Sequence, residues 1–301
     1  MTLRQLTYFL AVVEEGSITR AAQRLHVAQP SLSQQIRRLE TTLGGALIER
    51  LPRSVRLTPF GRQFEGPARA VVLAAERAER VARAALGTQT GELEIATVRS
   101  IAVGILPRSI TRLRAAHPGV SVRLHEFGHR ATLEERVRSG LADVAIGPCP
   151  QRWDGPLERL GWEEFVVVLP RADPAVEAGA RVRLASLRDR EWVLFDPEHG
   201  LSDVVTFACG TAGFLPLPAI QTAQVDAAAR LAAAGLGPAL LPGDAVPPDL
   251  AEAALRLDPP LGREIAAYAR HALSAVAGAY LGLLREDACW SPRPPDLVAV
   301  P

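Results

Sequence analysis

The stretch AAQRLHVAQPSLSQQIRRLE, residues 21–40, contains two amphipathic segments separated by a short break at residues 26–29. In the second segment, placing residues at 100° intervals puts the apolar side chains within about 60° of arc, as one core face. That face consists of Leu32, Ile36, Leu39 and Leu43. The opposite face carries Pro30, Ser33, Gln34 and Arg37, with Arg38 on its flank. A solvated helix face commonly pairs arginine with an acid four residues away, but the first acid here is Glu40, at the far end.

The residue types of this acid-free face suit a DNA duplex. Glutamine can form two hydrogen bonds to adenine, arginine can do the same with guanine, and serine can meet either a base or a phosphate. Ala21, Ala22, Leu25 and Val27 supply the apolar half of a helix-turn-helix, whose second helix enters the major groove N-terminus first. The pattern favours DNA binding; an ordinary three-helix bundle with a solvated face is the alternative.

The flanking sequence predicts further elements of a winged domain. Apolar residues at helical spacing predict a first helix over residues 3–14, and Ser17 can cap a second, short helix. Alternation around residues 52–54 predicts a hairpin. This wing would present Arg50, Arg53 and Arg56 to phosphates or the minor groove. From Pro59, one helix of roughly 27 residues, about 40 Å long, carries a stripe of small apolar residues that needs a partner.

Composition limits the possible functions. All 34 strongly basic residues are arginine, so arginine alone marks no binding site here. Residues 1–90 carry a net charge of +6 and residues 91–301 one of −5, which suggests that the first third meets a polyanion. Cys149, Cys209 and Cys289 match neither a zinc nor a redox motif. Because the N-terminus lacks a signal-peptide pattern and no apolar run is long enough to span a bilayer, we expect a cytoplasmic protein with no membrane partner.

Beyond a linker at residues 87–91, strands and helices alternate, as is typical of an α/β domain. Strands are expected at residues 93–98, 120–127, 143–147, 165–169, 192–195, 219–223, 238–241 and 265–269. Helices are expected at residues 103–116, 131–139, 203–212, 225–234 and 273–285. The proline-rich tail after Cys289 is expected to be loose.

Residues 3–61, LRQLTYFLAVVEEGSITRAAQRLHVAQPSLSQQIRRLETTLGGALIERLPRSVRLTPFG, resemble the N-terminal domain of LysR-type transcriptional regulators. Residues 105–147, ILPRSITRLRAAHPGVSVRLHEFGHRATLEERVRSGLADVAIG, resemble the first lobe of that family's effector domain, and residues 163–174, EEFVVVLPRADP, the crossover into its second lobe. The resemblance is weaker beyond residue 175 and weakest after residue 270. It implies an N-terminal all-α winged helix-turn-helix with a long linker helix, then a C-terminal α/β two-lobed effector domain of the periplasmic-binding-protein-like fold.

The same resemblance implies domain boundaries and DNA contacts. A DNA-binding domain would cover residues 1–58, a linker and dimerisation helix residues 59–90, and an effector-binding domain residues 91–301. Lobe I would comprise about 91–162 and 270–301, and lobe II about 163–269. DNA contacts are implied at Gln29, Pro30, Ser31, Ser33, Gln34 and Arg37, and on the wing at Arg50 and Arg53. Ala28 departs from the family, which commonly has a capping Ser or Thr there, and Gln34 departs from the Arg of many members; a lost cap costs about 1 kcal/mol.

The implied function is a ligand-responsive transcriptional regulator without a cofactor or metal ion. A small organic acid would bind between the lobes, where strand C-termini and helix N-termini meet and favour an anion. Effector contacts are expected from Thr97, Arg99, Ser100, Ile101, His129, Arg130, Phe195 and Asp226. The expected partners are a roughly palindromic double-stranded operator, that effector, further copies of the chain through residues 59–87 as a dimer or tetramer, and RNA polymerase.

Other functions remain open at this point. A cytoplasmic small-molecule-binding protein or enzyme on the same α/β fold would account for the second part, but the sequence contains no CxxC or GxSxG motif. A nucleoid-type DNA protein would leave the α/β pattern of residues 91–301 unexplained. Peroxide sensing through Cys149 and Cys209 is conceivable from the family, but their spacing does not match that subgroup.

Overall fold

The computed structural model describes residues 1–51, 54–85, 91–179, 181–286, 290 and 292–300. The chain divides into two compact units, one of residues 1–89 with 139–141 and the other of residues 90–138 with 142–301. No helix in the described residues is both long and apolar enough to cross a membrane.

The first unit has the elements expected of a winged helix-turn-helix. Its described elements are α1 (Leu3–Glu15), α2 (Ile18–Arg24), α3 (Gln29–Leu43), β1 (Ile48–Arg50), β2 (Val55–Leu57) and α4 (Pro59–Ala85). The core forms because α1 and α3 turn their apolar stripes towards each other, with Leu6, Phe9, Leu32, Ile36 and Leu39 each at most 1% exposed. Strands β1 and β2 pair antiparallel as the wing.

The break between α2 and α3 is a tight turn with a positive φ of 53° at His26. The amide of Val27 donates to the carbonyl of Ala22 at 3.0 Å, which closes the turn. Ala28 then lies extended as the N-cap of α3 and offers no side-chain acceptor to the first turn. The structure thus confirms the uncapped helix start that the sequence predicts.

The second unit is an α/β domain, as predicted. Its strands are β3 (Glu92–Val98), β4 (Ser121–Phe127), β5 (Val144–Pro148), β6 (Leu157–Val168), β7 (Glu191–Phe195), β8 (Leu217–Thr222), β9 (Ala239–Pro242), β10 (Ala254–Tyr268) and β11 (Val298–Ala299). Its helices are α5 (Arg99–Gly104), α6 (Leu106–Ala116), α7 (Arg130–Arg138), α8 (Pro174–Glu177), α9 (Gly200–Thr211), α10 (Val225–Ala233) and α11 (Ala275–Glu286). The main sheet has the order β4-β3-β5-β10-β6-β9, with β11 beside β10, and β7 and β8 form a separate parallel pair.

Two hydrophobic cores define two lobes, and strands β6 and β10 run through both. The first core includes residues 93–146 and 265–284, whereas the second lies within residues 165–261. Both crossover strands are longer than the sequence predicted, because charged residues at 163–164 of β6 and 263–264 of β10 interrupt the apolar runs from which the strands were predicted. Residues 265–268 pack in the first core, so the chain returns to lobe I earlier than the expected boundary near residue 270.

Two further expectations about the second unit were wrong. The helix expected over residues 103–116 is two helices, α5 and α6, which break at Ile105 just before Pro107 in the first turn of α6. Proline lacks an N–H, so Pro107 cannot donate to the carbonyl of Val103 and the helix restarts here. The tail expected to be loose contains β11, where Leu261 pairs with Val298, and Val298 and Val300 pack against the second core.

Candidate functional site

The outward face of α3 is polar and free of acids. Gln29, Pro30, Ser31, Gln34 and Arg37 are all exposed. The guanidinium groups of Arg37 and of Arg50 on the wing have no hydrogen-bond or ion-pair partner among the described residues. A helix and a wing that present unpaired cations and amides are suited to phosphates and base edges. The expected wing residue Arg53 lies outside the described residues.

Ser33 is the exception on this helix and corrects the expectation that it lies on the polar face. Its side chain is buried, with 4% of the residue exposed, and its hydroxyl has no hydrogen-bond partner within the described structure. At 100° per residue, Ser33 follows Leu32 at the edge of the core stripe, and a small side chain there is covered by the neighbouring helices. Ser33 is therefore not available for a DNA contact in this conformation.

Glu40, the first acid after the polar face, holds the wing. Its Oε1 accepts hydrogen bonds from the amides of Leu47 at 2.8 Å and Ile48 at 3.2 Å. This contact positions the start of β1 relative to α3, and the sequence analysis missed it. The only sequence signal was that Glu40 is the single acid of α3 and lies towards its C-terminal end.

Other arginines of the first unit are committed to internal ion pairs. The carboxylate oxygens of Glu14 of α1 form ion pairs with guanidinium nitrogens of Arg24 of α2 at 2.8 Å and of Arg69 of α4 at 2.6 Å. Arg69 also pairs with Glu65. Hydrogen bonds from both guanidinium groups hold the pKa of Glu14 below its usual value although burial opposes this. The network ties α1, α2 and α4 together, whereas Arg37 of α3 and Arg50 of the wing have no such partner among the described residues.

A cavity of about 400 Å³ lies between the two lobes of the second unit. Its walls are the ends of β3, β4 and β5, the first turns of α7 and α9, Arg263 of β10, and Val300. The lobes meet closely at its edge, where the amide of Gly200 donates to the carbonyl of Gly128 at 2.8 Å. A Cβ on Gly128 would collide with the carbonyl oxygen of Glu198, so the close approach requires glycine there. Two helix N-termini at one cavity favour an anionic ligand.

The structure brings three of the eight expected effector residues to this cavity, namely Ser100, His129 and Arg130. Arg99 lies beside its wall, near Gly128.

The other expected contacts lie elsewhere. Thr97 is fully buried and its hydroxyl donates to the carbonyl of Ile146 at 2.7 Å. Ile101 and Phe195 belong to the first and second cores, and Asp226 is exposed and pairs with Arg230 at 3.0 Å on α10. These four residues are therefore not in the cavity wall.

Arg263 is a cavity residue that the sequence analysis missed. Its Nε lies 2.5 Å from Oε2 of Glu163, its register partner on β6, and a second guanidinium nitrogen donates to the hydroxyl of Ser100 at 2.8 Å. Both ends of the ion pair are buried, with side chains 8% and 1% exposed. The guanidinium also lies over the ring of Phe165, 5.4 Å from its centre. The network links both crossover strands to lobe I beside the cavity.

His199, the N-cap of α9, was also missed. Its Nδ1 accepts from the amide of Leu201 at 3.1 Å, so a neutral ring carries its proton on Nε2, which has no partner in the described residues. Burial, and then the charge of Arg99, lower the pKa of His199 to about 4. The ring stacks on Phe195, with centroids 4.8 Å apart. His199 is thus a buried neutral donor in the cavity wall.

The described cysteines lie in environments that do not favour reactivity. Cys209 is buried in the second core, and burial raises its pKa to about 12. Burial also raises the pKa of the half-buried Cys149, and Cys289 lies outside the described residues. A reactive thiol needs a stabilised thiolate, which neither described site provides.

Comparisons with known proteins match both units. The family described as "Bacterial regulatory helix-turn-helix protein, lysR family" matches residues 3–62, and the family described as "LysR substrate binding domain" matches residues 86–289. The chain is 32% identical over 245 residues to the HTH-type transcriptional regulator ClcR of Pseudomonas putida, with 80% of this chain and 83% of that protein covered.

The structural comparison agrees. The crystal structure of CbnR, a LysR family transcriptional regulator, matches with a TM-score of 0.70 at 26% identity and covers 96% of this chain and 99% of that one. Full-length CbnR complexed with its target DNA matches with a TM-score of 0.67 at 26% identity, covering 96% and 100%. These relatives are regulators and not enzymes. The chain belongs to the LysR family of transcriptional regulators.

Proposed function

We propose that this regulator binds a roughly palindromic operator through the outward face of α3 and the β1–β2 wing. The domain boundaries proposed are residues 1–58 for DNA binding, 59–90 for the linker helix and 91–301 for the effector domain. The observation that carries the proposal is the exposed, acid-free face of α3 with the unpaired guanidinium of Arg37. The proposed further contacts are Gln29, Pro30, Ser31, Gln34 and Arg50. Ser33 is not among them because it is buried.

The test is protection of DNA upstream of the chain's own gene in a footprint at low salt. Arg37→Ala should weaken binding by about tenfold, the cost of losing one arginine contact to a base. Arg114→Ala, which removes an exposed arginine of α6, is the matched control and should leave the affinity unchanged. Equal affinities for the wild type and Arg37→Ala would remove Arg37 from the interface.

The proposed effector is a small organic acid in the cavity between the lobes. Support comes from the convergent starts of α7 and α9, the Nε2–H of His199, and the guanidinium donors of Arg130 and Arg263 in the cavity wall. The volume of about 400 Å³ lies in the range of small-molecule sites, roughly 300–1,000 Å³. Binding to the folded state should raise the melting temperature, which a screen of carboxylates would detect.

Self-association through residues 59–87 and contact with RNA polymerase complete the proposal. Helix α4 spans 27 residues and exposes apolar side chains, with Phe60 and Val71 at 39% and 47% exposed. An exposed apolar stripe on a long helix is stabilised by a second copy of the same helix. Such a dimer would present two copies of α3 to the two half-sites of a palindromic operator. We propose that it acts in the cytoplasm.

A further inference from the structure

Most of the charge around the cavity is already neutralised by acidic partners. Arg263 is paired with Glu163, and Nε of Arg130 lies 3.4 Å from Oε1 of Glu134 on the next turn of α7. A paired cation attracts a ligand anion less than a free one, because the partner carboxylate opposes the ligand's charge at nearly the same distance. These two arginines therefore supply hydrogen-bond donors and little net charge.

The remaining charged groups at the cavity are of both signs. Nδ1 of His129 lies 3.4 Å from Oδ2 of Asp203, which faces it from α9. Arg99 has no ion-pair or hydrogen-bond partner in the part of the chain that the structure describes, and it lies near Gly128. Asp203 opposes the charge of Arg99, so these groups add little net positive charge, which fits a ligand with a single negative charge.

The wall formed by α9 changes from polar to apolar along its length. Gly200 and Asp203 line the cavity in the first turn, and Val204 and Phe207 line it further along. The amides of Gly200 and Leu201 already donate to Gly128 and His199, so the donors at this end are Nε2–H of His199 and the first amides of α7. Val300 of the C-terminal segment lines the cavity as well. The cavity thus has donors at His199 and at the start of α7 and an apolar region along Phe207 and Val300.

We propose that the cleft selects acids with one carboxylate on a compact apolar body and rejects dicarboxylates that carry a second carboxylate at the far end. Phe207 and Val300 are the specificity-determining residues. This inference rests on the proposed effector role of the cleft. The first carboxylate lies at the start of α7 and beside Nε2 of His199, and the body lies against Phe207 and Val300. A second carboxylate would lose its water against these two side chains and find no donor, which costs binding free energy.

The test compares matched pairs of acids on the full-length protein by isothermal titration calorimetry. Benzoate and terephthalate share one body, as do hexanoate and adipate, and the members of each pair differ in the second carboxylate. We expect the monocarboxylate of the better-bound pair to bind about tenfold or more tightly than its dicarboxylate. Phe207→Arg should reverse this preference, because it provides the missing cation at the apolar end.

Two further variants keep the test decisive. Val300→Arg places the same cation on the residue directly after β11, and it should also reverse the preference even where the α9 variant fails to fold. Thr206→Arg is the matched control, because Thr206 is exposed on α9 and does not line the cavity, and it should retain the wild-type preference.

Each outcome separates this inference from the function on which it rests. Wild-type protein that binds a dicarboxylate as tightly as its monocarboxylate partner overturns the selectivity and leaves the acid effector in place. Folded arginine variants that gain no affinity for the dicarboxylate overturn the assignment of the specificity residues. If no acid of either kind binds, the proposed acid effector falls and the inference falls with it.

Discussion

Glu163→Gln provides a direct test of the buried ion pair at the cavity. The substitution leaves the guanidinium of Arg263, whose side chain is 8% exposed, without its charged partner. Breaking a buried pair from one side typically costs about 3–5 kcal/mol. Because the amide oxygen of glutamine can still accept one hydrogen bond, we expect the lower end, about 3 kcal/mol. For a unit of this size each kcal/mol lowers the melting temperature by about 2–4 °C, so a fall of about 6–12 °C is expected.

The assay can follow the second unit by itself. The four tryptophans, Trp153, Trp162, Trp192 and Trp290, all belong to residues 142–301, so their fluorescence reports the unfolding of this unit. Urea and thermal unfolding of wild type and variant, recorded in this way, give the change in stability.

Glu264→Gln is the matched control for this measurement. Glu264 is also on β10 and pairs across the same two strands with Arg159 at 3.0 Å, but Arg159 is 68% exposed. An exposed pair contributes about 0–1 kcal/mol, so the control should change the melting temperature by less than about 4 °C. A loss for Glu163→Gln no larger than that of the control would refute the reasoning that burial makes the Arg263 pair indispensable.

Three further predictions address other parts of the chain. Ala28→Ser should stabilise the first unit by about 1 kcal/mol in urea unfolding followed by circular dichroism, since Ala28 is extended and α3 lacks a cap; no gain would contradict the capping argument. Glu40→Ala should weaken operator binding in gel shifts and lower the melting temperature of this unit, because the amides of Leu47 and Ile48 lose their acceptor. The pKa of His199 is about 4 in the folded protein and near 6.5 in the unfolded chain, so unfolding takes up a proton between these pH values and stability should fall as pH drops from about 6.5 to 4. His199→Asn, which keeps a capping acceptor, should show a smaller fall in stability over this range. An equal fall would contradict the assignment of the effect to His199.

The helices and wing of the first unit follow from the sequence because neighbouring residues determine them. The spacing of Leu32, Ile36 and Leu39 predicts both the existence and the inward face of α3, and the structure confirms them. The burial of Ser33 could not be predicted in this way, since its position beside the stripe leaves the outcome to the neighbouring helices that cover it. Local periodicity predicts which way a helix face points, but packing against neighbouring helices decides whether a residue at the edge of that face is buried.

The cavity depends on contacts between distant parts of the chain. Arg263 and Glu163 are 100 residues apart, and Arg263 and Ser100 are 163 apart. The sequence signal for Arg263 was the pair of charged residues, Arg263 and Glu264, within the otherwise apolar residues 261–269. His199 is placed by the start of α9, which lies three residues earlier than the sequence predicted.

By itself, the sequence determined the order of the elements, the two-part organisation and the polar face of α3, because these arise from residues a few positions apart and from the charge split between the two parts. The tertiary structure decided which side chains meet in the cleft. The pairing of β6 with β10 and the ends of β3, β4 and β5 bring residues of both lobes to one cavity, and it is this meeting that buries Arg263 and leaves Nε2 of His199 without a partner. Sheet order and lobe packing are set by the burial of apolar surface over the whole chain, which no local pattern contains.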